Sequence, residues 1–401
     1  MHFIGLLVCC YTVQAAANTI TIYHDADYSN HAASAHSMAM GFKTALAEVD
    51  NKIKGYDINL VVKDHRGNSR RSLHHMQQFL DDPTALFILG GLHSPPYIQN
   101  RDFINQNGVL LLIPWAAGGP ITRYSEGLNW VFRVSVDDTK AGYRIADFAI
   151  NEKNCKTPHL LLEETPWGKS NLNTLSVAVT KDLKQQPGVT WFGWNTKVNT
   201  ARILLREARQ KGADCLLFVG NAIEGEEFAR AMASLEAEQR LPIISHWGIT
   251  GGDFHAKVTP DLRQHLDLHF IQTCFSFMSP RQTTLSRQVL NRAKTLFPEK
   301  IERPGDINAP PGFIHAYDIG RIVIAALEQV ELSGDNIADR KALRNALEQL
   351  RRPVEGLVKT YRTPFSPWST VQDDAHEALG LEDFCMARFD DQNRIIVEPV
   401  D

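Results

Sequence analysis

An excess of positive charge is absent from this sequence. Its 401 residues include 42 lysines and arginines against 46 aspartates and glutamates, which gives a formal net charge of −4. Proteins that hold nucleic acid or anionic membranes through their overall field carry a large positive charge. The sequence therefore gives no reason to expect nucleic acid as a partner.

Long hydrophobic runs are also scarce. The apolar run at residues 3–13 is shorter than the roughly 20 residues that a bilayer span requires. Small residues follow it at 15–17, as at the cleavage site of a secretory signal peptide. We therefore predict a signal peptide over residues 1–17 and a mature protein in the periplasm. Neither Cys9 nor Cys10 follows the small residue of a lipoprotein signal, so a lipid anchor is not expected.

The rest of the chain is poor in cysteine. Beyond residue 17 there are four, namely Cys155, Cys215, Cys274 and Cys385. They are widely spaced and form no C-x-x-C pair, which argues against a zinc site or a redox motif. Cys215 begins an apolar run and is predicted to be a buried free thiol. One disulfide, for instance one that involves Cys155, stays open as an alternative because the periplasm is oxidising, and the sequence does not choose the pairing.

The signatures of common enzymes are missing as well. The sequence contains no G-x-S-x-G, no H-E-x-x-H, no phosphate loop ending in Gly-Lys-Ser/Thr and no G-x-G-x-x-G after a predicted strand. Catalysis requires acids, bases or nucleophiles that converge on one place. We therefore expect that the protein is not an enzyme and needs no cofactor.

The sequence does contain a regular alternation of β-rich and amphipathic segments. Residues 34–50 illustrate the amphipathic kind, because Met38, Phe42 and Leu46 recur at helical spacing. The candidate strands are residues 20–23, 58–62, 86–89, 109–113, 160–163, 190–193, 216–220 and 243–245. Such alternation predicts parallel sheets covered by helices, and its restart after Val134 predicts two α/β lobes.

Several segments, taken in order, resemble one known family. They are GFKTALAEV at 41–49, LVVKD at 60–64, FRV at 132–134 and HAYD at 315–318. Together they resemble the type I periplasmic solute-binding proteins, the leucine/isoleucine/valine-binding kind that serves ABC importers. The resemblance covers essentially the whole mature chain. It implies an α/β fold of two Rossmann-like lobes with parallel central sheets, joined by three hinge crossings.

The resemblance also implies where the lobes begin and end. The three crossings would lie near residues 133–136, 273–277 and 352–356. The N-terminal lobe would then comprise residues 18–134 plus 274–352, and the C-terminal lobe residues 135–273 plus 353–401. Each lobe would thus be built from two separate stretches of chain. A monomer is expected.

Two predicted loops of the first lobe, residues 90–96 and 114–120, contain no Lys, Arg, Asp or Glu. They follow strands, and ligands of open α/β sheets bind beyond the carboxyl ends of strands. Backbone amides and the Ser94 hydroxyl can hold a carboxylate or carbonyl oxygen there without a buried cation. By resemblance, these loops bind the α-carboxylate of amino-acid ligands, although both can also be simple tight turns. The candidate binding residues are His93, Ser94, Trp115, Ala116 and Ala117.

The corresponding candidates in the second lobe are Glu163, Trp167, Asn221, His246 and Trp247. Trp167 matches a family position that is usually a Tyr lying against the ligand. The three tryptophans Trp115, Trp167 and Trp247 can form an aromatic enclosure, or each can be part of a lobe core. Family members that hold an ammonium group often have an acidic residue where this chain has His246. A neutral or amide-like ligand is therefore expected on equal terms with an amino acid.

Histidines and aspartates crowd the segment that ends the first predicted strand and follows it. They are His24, Asp25, Asp27, His31 and His36. Imidazole and carboxylate groups suit zinc and similar ions, but this spacing matches no common ligand pattern. We therefore predict a polar, solvated lip of the cleft rather than a metal site. His74 and His75, at a helix end, are predicted to be exposed.

The predicted function is the binding of a small polar or amphipathic organic molecule by closure of the two lobes. An amino acid, an amide or a related metabolite fits the resemblance. The ligand would be delivered to the membrane permease of an ABC importer. A second interpretation stays open at this point, because the same two-lobed body can report ligand occupancy to a periplasmic sensor domain.

Overall fold

The first sheet is built from the N-terminal third of the chain. The computed structural model describes residues 19–369 and 371–398. The strands of this sheet are β1 Thr19–Ala26, β2 Lys52–Ile53, β3 Tyr56–Asp64, β4 Ala85–Gly90, β5 Leu111–Ile113 and β6 Val131–Arg133. Their spatial order is β2-β3-β1-β4-β5-β6, and every neighbouring pair is parallel except β2 with β3. Every residue of β4 is buried, which is why this strand is an unbroken apolar run in the sequence.

The second sheet uses later segments of the chain. The remaining strands are β7 Pro158–Glu163, β8 Gly188–Phe192, β9 Cys215–Val219, β10 Ile243–Ser245, β11 Leu268–Thr273, β12 Val354–Glu355, β13 Thr360–Tyr361, β14 Phe384–Phe389 and β15 Ile395–Val397. The order in this sheet is β15-β14-β11-β10-β9-β7-β8, with β14 and β15 antiparallel at one edge. β12 and β13 form a separate hairpin. The predicted α/β fold with two parallel-dominated lobes is therefore confirmed, and each candidate strand overlaps an observed one.

Helices connect these strands and cover both sheets. They are α1 Ala32–Leu46, α2 Ser69–Asp81, α3 Pro95–Gln99, α4 Arg101–Gln106, α5 Asp138–Asp147, α6 Pro166–Leu183, α7 Val198–Gln210, α8 Ala222–Ala233, α9 Phe254–Lys257, α10 Pro260–Arg263, α11 Thr284–Leu296, α12 Pro310–Glu328 and α13 Asn336–Glu348. Local chemistry sets their ends. The Asn68 side chain accepts hydrogen bonds from two backbone amides of the first turn of α2. The helix predicted over residues 34–50 corresponds to α1, which passes after Leu46 into a turn of 3-10 helix at Ala47–Val49, and this turn ends where Asp50 and Asn51 adopt positive φ angles of 52° and 56°.

The last helices return to the first sheet. α12 lies along α1 so closely that a Cβ added at Gly41 would be 2.1 Å from the Phe313 carbonyl oxygen. Only glycine permits this approach. On α13, the Arg340 guanidinium donates hydrogen bonds to the carbonyl oxygens of Ala85 and Phe79 at 3.0 and 3.1 Å. A segment that follows β11 in sequence therefore packs against the first sheet.

Two disulfides join distant segments, Cys155–Cys215 and Cys274–Cys385. The prediction of a free thiol at Cys215 is therefore wrong. The fold places the Cα atoms of Cys155 and Cys215 6.0 Å apart, a separation that a disulfide spans. The buried, apolar surroundings of Cys215 are real, but they do not reveal that a second cysteine shares them.

The predicted signal peptide over residues 1–17, with Cys9 and Cys10, lies outside the described residues. Within residues 19–369 and 371–398, no helix is long and apolar enough to cross a bilayer. The two disulfides are typical of proteins that fold in an oxidising compartment.

Candidate functional site

The candidate site lies where the strand order of each sheet reverses. In the first sheet this occurs between β1 and β4, and in the second between β7 and β9. A crevice forms at such a reversal, beyond the carboxyl ends of the strands, because the following loops diverge to opposite faces of the sheet. The loops after these four strands contain candidate residues from the sequence, among them His93, Trp167 and Asn221.

The loops after β4, β5, β7, β9 and β10 enclose one small cavity with a volume of about 10 Å³. It is lined by Leu92, His93, Ser94, Pro95, Trp115, Ala117, Glu163, Trp167, Asn221, Trp247 and Gly248. Eight of the ten residues predicted from the sequence are in this lining, while Ala116 and His246 are buried outside it. Leu92, Pro95 and Gly248 escaped prediction because they have no polar side-chain group that would mark them as ligand contacts.

Indole rings fill most of the space between the two sets of loops. Trp115 and Trp247, from opposite sides, have ring centroids 5.6 Å apart. Trp167 also lines the cavity, and its Nε1 donates a hydrogen bond to Asp138 Oδ1 at 3.1 Å. The remaining volume of about 10 Å³ is close to the minimum for one water molecule. A ligand the size of an amino acid therefore enters only when the loops separate or the indoles change rotamer.

Hydrogen bonds tie the two first-lobe loops into one wall. The Gly118 backbone amide donates to Ser94 Oγ at 3.0 Å. Nearby, the Ala116 backbone amide donates to the Gly91 carbonyl oxygen at 3.2 Å. Ser94 precedes the prolines of α3, yet its side chain makes no capping bond to that helix. Its hydroxyl hydrogen is not used in the bond to Gly118 and can be donated to a ligand oxygen.

A buried guanidinium supports this wall from behind, without lining the cavity. Arg133 is fully buried, and its Nη1 donates to the Gly118 carbonyl oxygen at 2.9 Å. Its Nη2 donates to Glu377 Oε1 at 3.0 Å and also bonds Asp137. The sequence contained no sign of this group, because Glu377 lies 244 residues beyond Arg133.

Two further cations share the buried carboxylate of Glu377. The Arg123 guanidinium lies 3.3 Å from Glu377 Oε1, and Lys140 Nζ lies 3.1 Å from Oε2. Burial by itself would favour the neutral acid, but Arg133 and Arg123 hold the pKa of Glu377 well below its usual range. The carboxylate is therefore charged under all ordinary conditions. The cluster anchors residue 377 beneath the cavity wall.

His246 positions the indoles of the second lobe rather than lining the cavity. Its Nδ1 accepts a hydrogen bond from the Trp247 backbone amide at 3.0 Å. Its Nε2 lies 3.1 Å from Asp138 Oδ1. Asp138 thus faces both His246 and the Nε1 of Trp167. Asp138 was not predicted, because a single aspartate near a helix start is most simply read as a cap.

Trp194, on the loop after β8, covers His93 from the second lobe. The two rings have centroids 5.7 Å apart, and the indole lies against Gly67, whose added Cβ would be 3.3 Å from it. Trp194 is 43% exposed. Burial lowers the pKa of His93 to about 3, so its imidazole is neutral. Trp194 was missed because an isolated aromatic residue in a loop belongs to no periodic pattern.

The polar residues at the end of β1 do not form a solvated lip. Four of them are buried, namely His24, Asp25, Asp27 and His31, and His36 is exposed. The prediction of a solvated lip is wrong because other segments of the same chain cover these residues. The Tyr97 hydroxyl, for example, donates to the Asp25 carbonyl oxygen at 2.6 Å. His74 is exposed as predicted, but His75 is partly buried, with Nδ1 2.6 Å from Asp25 Oδ1.

Glu163 is the acidic residue of the cavity lining. It is 1% exposed, and its carboxyl group accepts hydrogen bonds from Asn221 Nδ2 at 3.0 Å and Thr165 Oγ1 at 3.1 Å. Burial, together with the charge of Glu224, raises the pKa of Glu163 to about 7. Near neutral pH the group is therefore present in both forms, and it can either accept or donate a hydrogen bond.

Glu163→Gln is expected to stabilise the protein at about pH 8 and to have little effect at about pH 5. The folded-state pKa of about 7 exceeds the ordinary value of 4.5, so folding takes up a proton between these pH values. The stability linked to Glu163 is complete below the unfolded-state pKa and is lost as the pH rises through the folded-state pKa. The difference is on the order of 2–3 kcal/mol.

Urea unfolding of the wild type and of Glu163→Gln at both pH values measures this effect. Glu164→Gln is the matched control, because Glu164 is the exposed neighbour in sequence. Its free energy of unfolding should follow that of the wild type at both pH values. A constant difference between the wild type and Glu163→Gln across the pH range would contradict the raised pKa.

Known proteins share this architecture. A family model described as periplasmic binding protein matches residues 26–383. The chain is 22% identical over 326 residues to Leu/Ile/Val-binding protein homolog 3 of Brucella melitensis, and the match covers 80% of both chains. A solved periplasmic binding protein type 1 from Bordetella pertussis has a TM-score of 0.78 at 16% identity, covering 96% of this chain and 100% of that chain.

A second solved structure is an ABC transporter solute-binding protein from R. palustris in complex with benzoate. It has a TM-score of 0.75 at 15% identity and covers 95% of this chain and 95% of that chain. Identities this low show that the proteins have a common fold. They do not show that the proteins bind the same ligand. The family model, by contrast, spans both sheets and the loops of the cavity. The chain therefore belongs to the periplasmic binding protein family.

Proposed function

We propose that the protein binds a small amphipathic organic molecule between its two lobes, in the periplasm, and delivers it to the permease of an ABC importer. The proposal rests on one observation. Eleven residues from loops of both sheets converge on one cavity beyond the strand-order reversals. The two disulfides support an oxidising compartment. The R. palustris relative, an ABC transporter component, supports the importer as partner.

The proposed lobes are those implied by the family resemblance, residues 18–134 plus 274–352 and residues 135–273 plus 353–401. The packing of α12 along α1 and the place of β14 beside β11 support this division. The ligand would stabilise the closed arrangement through its additional contacts with the second lobe. The protein is proposed to act as a monomer.

The cavity lining indicates the chemistry of the ligand. Three indoles, with Leu92 and Pro95, offer apolar and flat surfaces to a branched or aromatic body. In the described part of the chain, neither Lys nor Arg lines the cavity, so a ligand oxygen would be held by neutral donors. Trp115 offers one, because its Nε1 is buried and has no acceptor within the described residues. Such an unsatisfied donor is costly, and a ligand oxygen would satisfy it.

The opposite end of the ligand would meet Glu163 and Asn221. An amino group, an amide or a hydroxyl can bond with this pair, since Glu163 accepts or donates near neutral pH. The ligand is therefore proposed to be an amino acid, an amide or a related carboxylic acid with an apolar body. The name of the Brucella relative refers to leucine, isoleucine and valine, and benzoate is an aromatic acid. Both fit this description.

Trp167→Ala is expected to weaken ligand binding about 10-fold or more without unfolding the protein. The indole would contribute apolar contact area and a stacking face worth about 0.5–1.5 kcal/mol. A library of amino acids, amides and aromatic acids identifies the ligand first, because a ligand at about 100 times its Kd adds about 2.7 kcal/mol of stability. Titration calorimetry with that compound then compares the variant with the wild type.

Trp191→Ala is the matched control. Trp191 is a half-buried indole on β8 of the same sheet and does not line the cavity. Its removal should leave the affinity unchanged. Equal losses in both variants, or no loss in Trp167→Ala, would place the Trp167 indole outside the site. A library in which no compound raises the melting temperature would contradict the proposed ligand class.

Delivery to an importer makes a separate prediction in cells. Uptake of the labelled ligand should depend on this protein and should cease when its gene is deleted. Unchanged uptake, with loss of ligand-dependent gene expression, would instead favour the sensing interpretation. The two outcomes separate transport from signalling whatever the affinity measured in solution.

A further inference from the structure

We propose that Asp27, His31 and His93 form a binding site for a divalent transition metal of the zinc class. Asp27 Oδ2, His31 Nδ1 and His93 Nε2 form an equilateral triangle, with each pair of atoms 3.2 Å apart. In a tetrahedral zinc site with bonds of about 2.0–2.1 Å, neighbouring ligand atoms lie about 3.3 Å apart. The triangle therefore has the dimensions of one face of such a site.

At most two of the three edges of this triangle can be hydrogen bonds at the same time. The carboxylate has no proton, and each ring contributes at most one at the nitrogen that faces the others. If both nitrogens are protonated, two donors face each other at 3.2 Å. If only one is protonated, two lone pairs face each other along another edge. A single cation that accepts all three lone pairs removes this conflict, and imidazole with carboxylate is a donor set suited to zinc.

The surrounding structure holds the three ligands in place. Asp27 Oδ1 accepts a hydrogen bond from the Asn30 backbone amide at 2.8 Å, and Oδ2 faces the two histidines while it also accepts one from Asn30 Nδ2 at 3.2 Å. His31 is the residue before the first turn of α1, and the His93 ring is covered by Trp194. The three side chains belong to residues that are only 2%, 8% and 3% exposed. Ligands fixed in this way need little ordering when a metal binds.

The site also has an entrance. His31 lines a pocket of about 260 Å³ between residues 29–33 and residues 222–257. Of the three ligands only His31 lines this pocket, which is the proposed path for the ion and the proposed place of a water molecule as the fourth ligand. All three protein ligands come from the first-sheet loops, so a metal can bind before the second lobe closes. His93 also lines the proposed ligand cavity, and the metal would therefore sit at the edge of that cavity.

Zinc ion alone is the probe for this proposal. Wild-type protein treated with a chelator and free of any affinity tag is expected to bind one Zn²⁺ per chain. Cobalt in its place is expected to show the visible absorption of a tetrahedral nitrogen/oxygen site. His31→Gln and Asp27→Asn should each weaken zinc binding by more than about 100-fold, since loss of an outer partner alone costs about 10–100-fold. Circular dichroism confirms that the variants fold.

His36→Gln is the matched control, because His36 is an exposed histidine on the same helix. It should keep the zinc affinity of the wild type. A wild type without a saturable zinc site, or a His31→Gln variant with unchanged affinity, would overturn the proposal. Zinc binding that weakens as much in His36→Gln as in His31→Gln would also overturn the proposal. If Asp27→Asn does not fold, the comparison of His31→Gln with His36→Gln tests the proposal. No organic ligand is present, so the result is independent of the proposed function.

Discussion

Breaking both disulfides is expected to lower the free energy of unfolding by about 4–8 kcal/mol. Cys155–Cys215 links positions separated by 60 residues, and Cys274–Cys385 links positions separated by 111. Loops of this length restrict the unfolded chain, and each bridge typically contributes about 2–4 kcal/mol. The two loops do not overlap in sequence, so their contributions should add.

Urea unfolding of two paired variants measures each contribution. In one variant Cys155 and Cys215 are replaced by Ala, and in the other Cys274 and Cys385 are replaced by Ala. A third variant combines both pairs of replacements. The wild type in reductant should have the same free energy of unfolding as this variant. The second bridge is expected to have the larger effect, because it closes the longer loop and joins the end of β11 to β14. An unfolding midpoint that reductant leaves unchanged would show that the cysteines are unpaired.

Arg133→Met is expected to destabilise the protein by about 3–5 kcal/mol. The substitution leaves the carboxylates of Glu377 and Asp137 in a buried site without their main cation. It also removes the hydrogen bond to the Gly118 carbonyl oxygen. Trp115 lies in the same loop as Gly118, so the variant should bind the proposed ligand more weakly as well. The two effects have one cause, the loss of the group beneath the cavity wall.

Arg352→Met is the matched control for Arg133→Met. Arg352 pairs with Glu328 at the surface, where both side chains are largely exposed. Removal of an exposed pair costs about 0–1 kcal/mol. The double variant Arg133→Met/Glu377→Gln should recover part of the lost stability. It removes the charge of one of the two carboxylates that lose the Arg133 guanidinium. Equal urea midpoints for Arg133→Met and Arg352→Met would show that the buried network does not stabilise the fold.

The fold class could be predicted from the sequence because the signal is local. Strands of a parallel sheet that are covered on both faces must be apolar throughout, as residues 86–89 of β4 are. The helices between them show their own period, as in α1. Element ends were less exact, since α1 passes into a 3-10 turn after Leu46, and that turn ends at the positive φ angles of Asp50 and Asn51. Neither residue type requires that conformation.

Much of the candidate site could be predicted for the same reason. Ligand-facing loops of α/β sheets follow the carboxyl ends of strands, and those ends can be located in the sequence. His93, Trp115, Glu163 and Trp167 were therefore identified without a structure. The degree to which the indoles fill the cleft could not be predicted from the sequence. How far Trp115 and Trp247 approach each other depends on the relative position of the two lobes.

The sequence by itself determined which segments are buried, how they alternate, and which loops lie beyond the strand ends, because these properties depend on neighbours within a few residues. Only the tertiary structure decided which distant groups meet. It paired Cys155 with Cys215, set Arg133 against Glu377, and brought His93 to Asp27 across 66 residues. These encounters depend on strand order and on the direction in which each loop leaves its sheet. Both are consequences of packing the whole chain, which no short stretch of sequence contains.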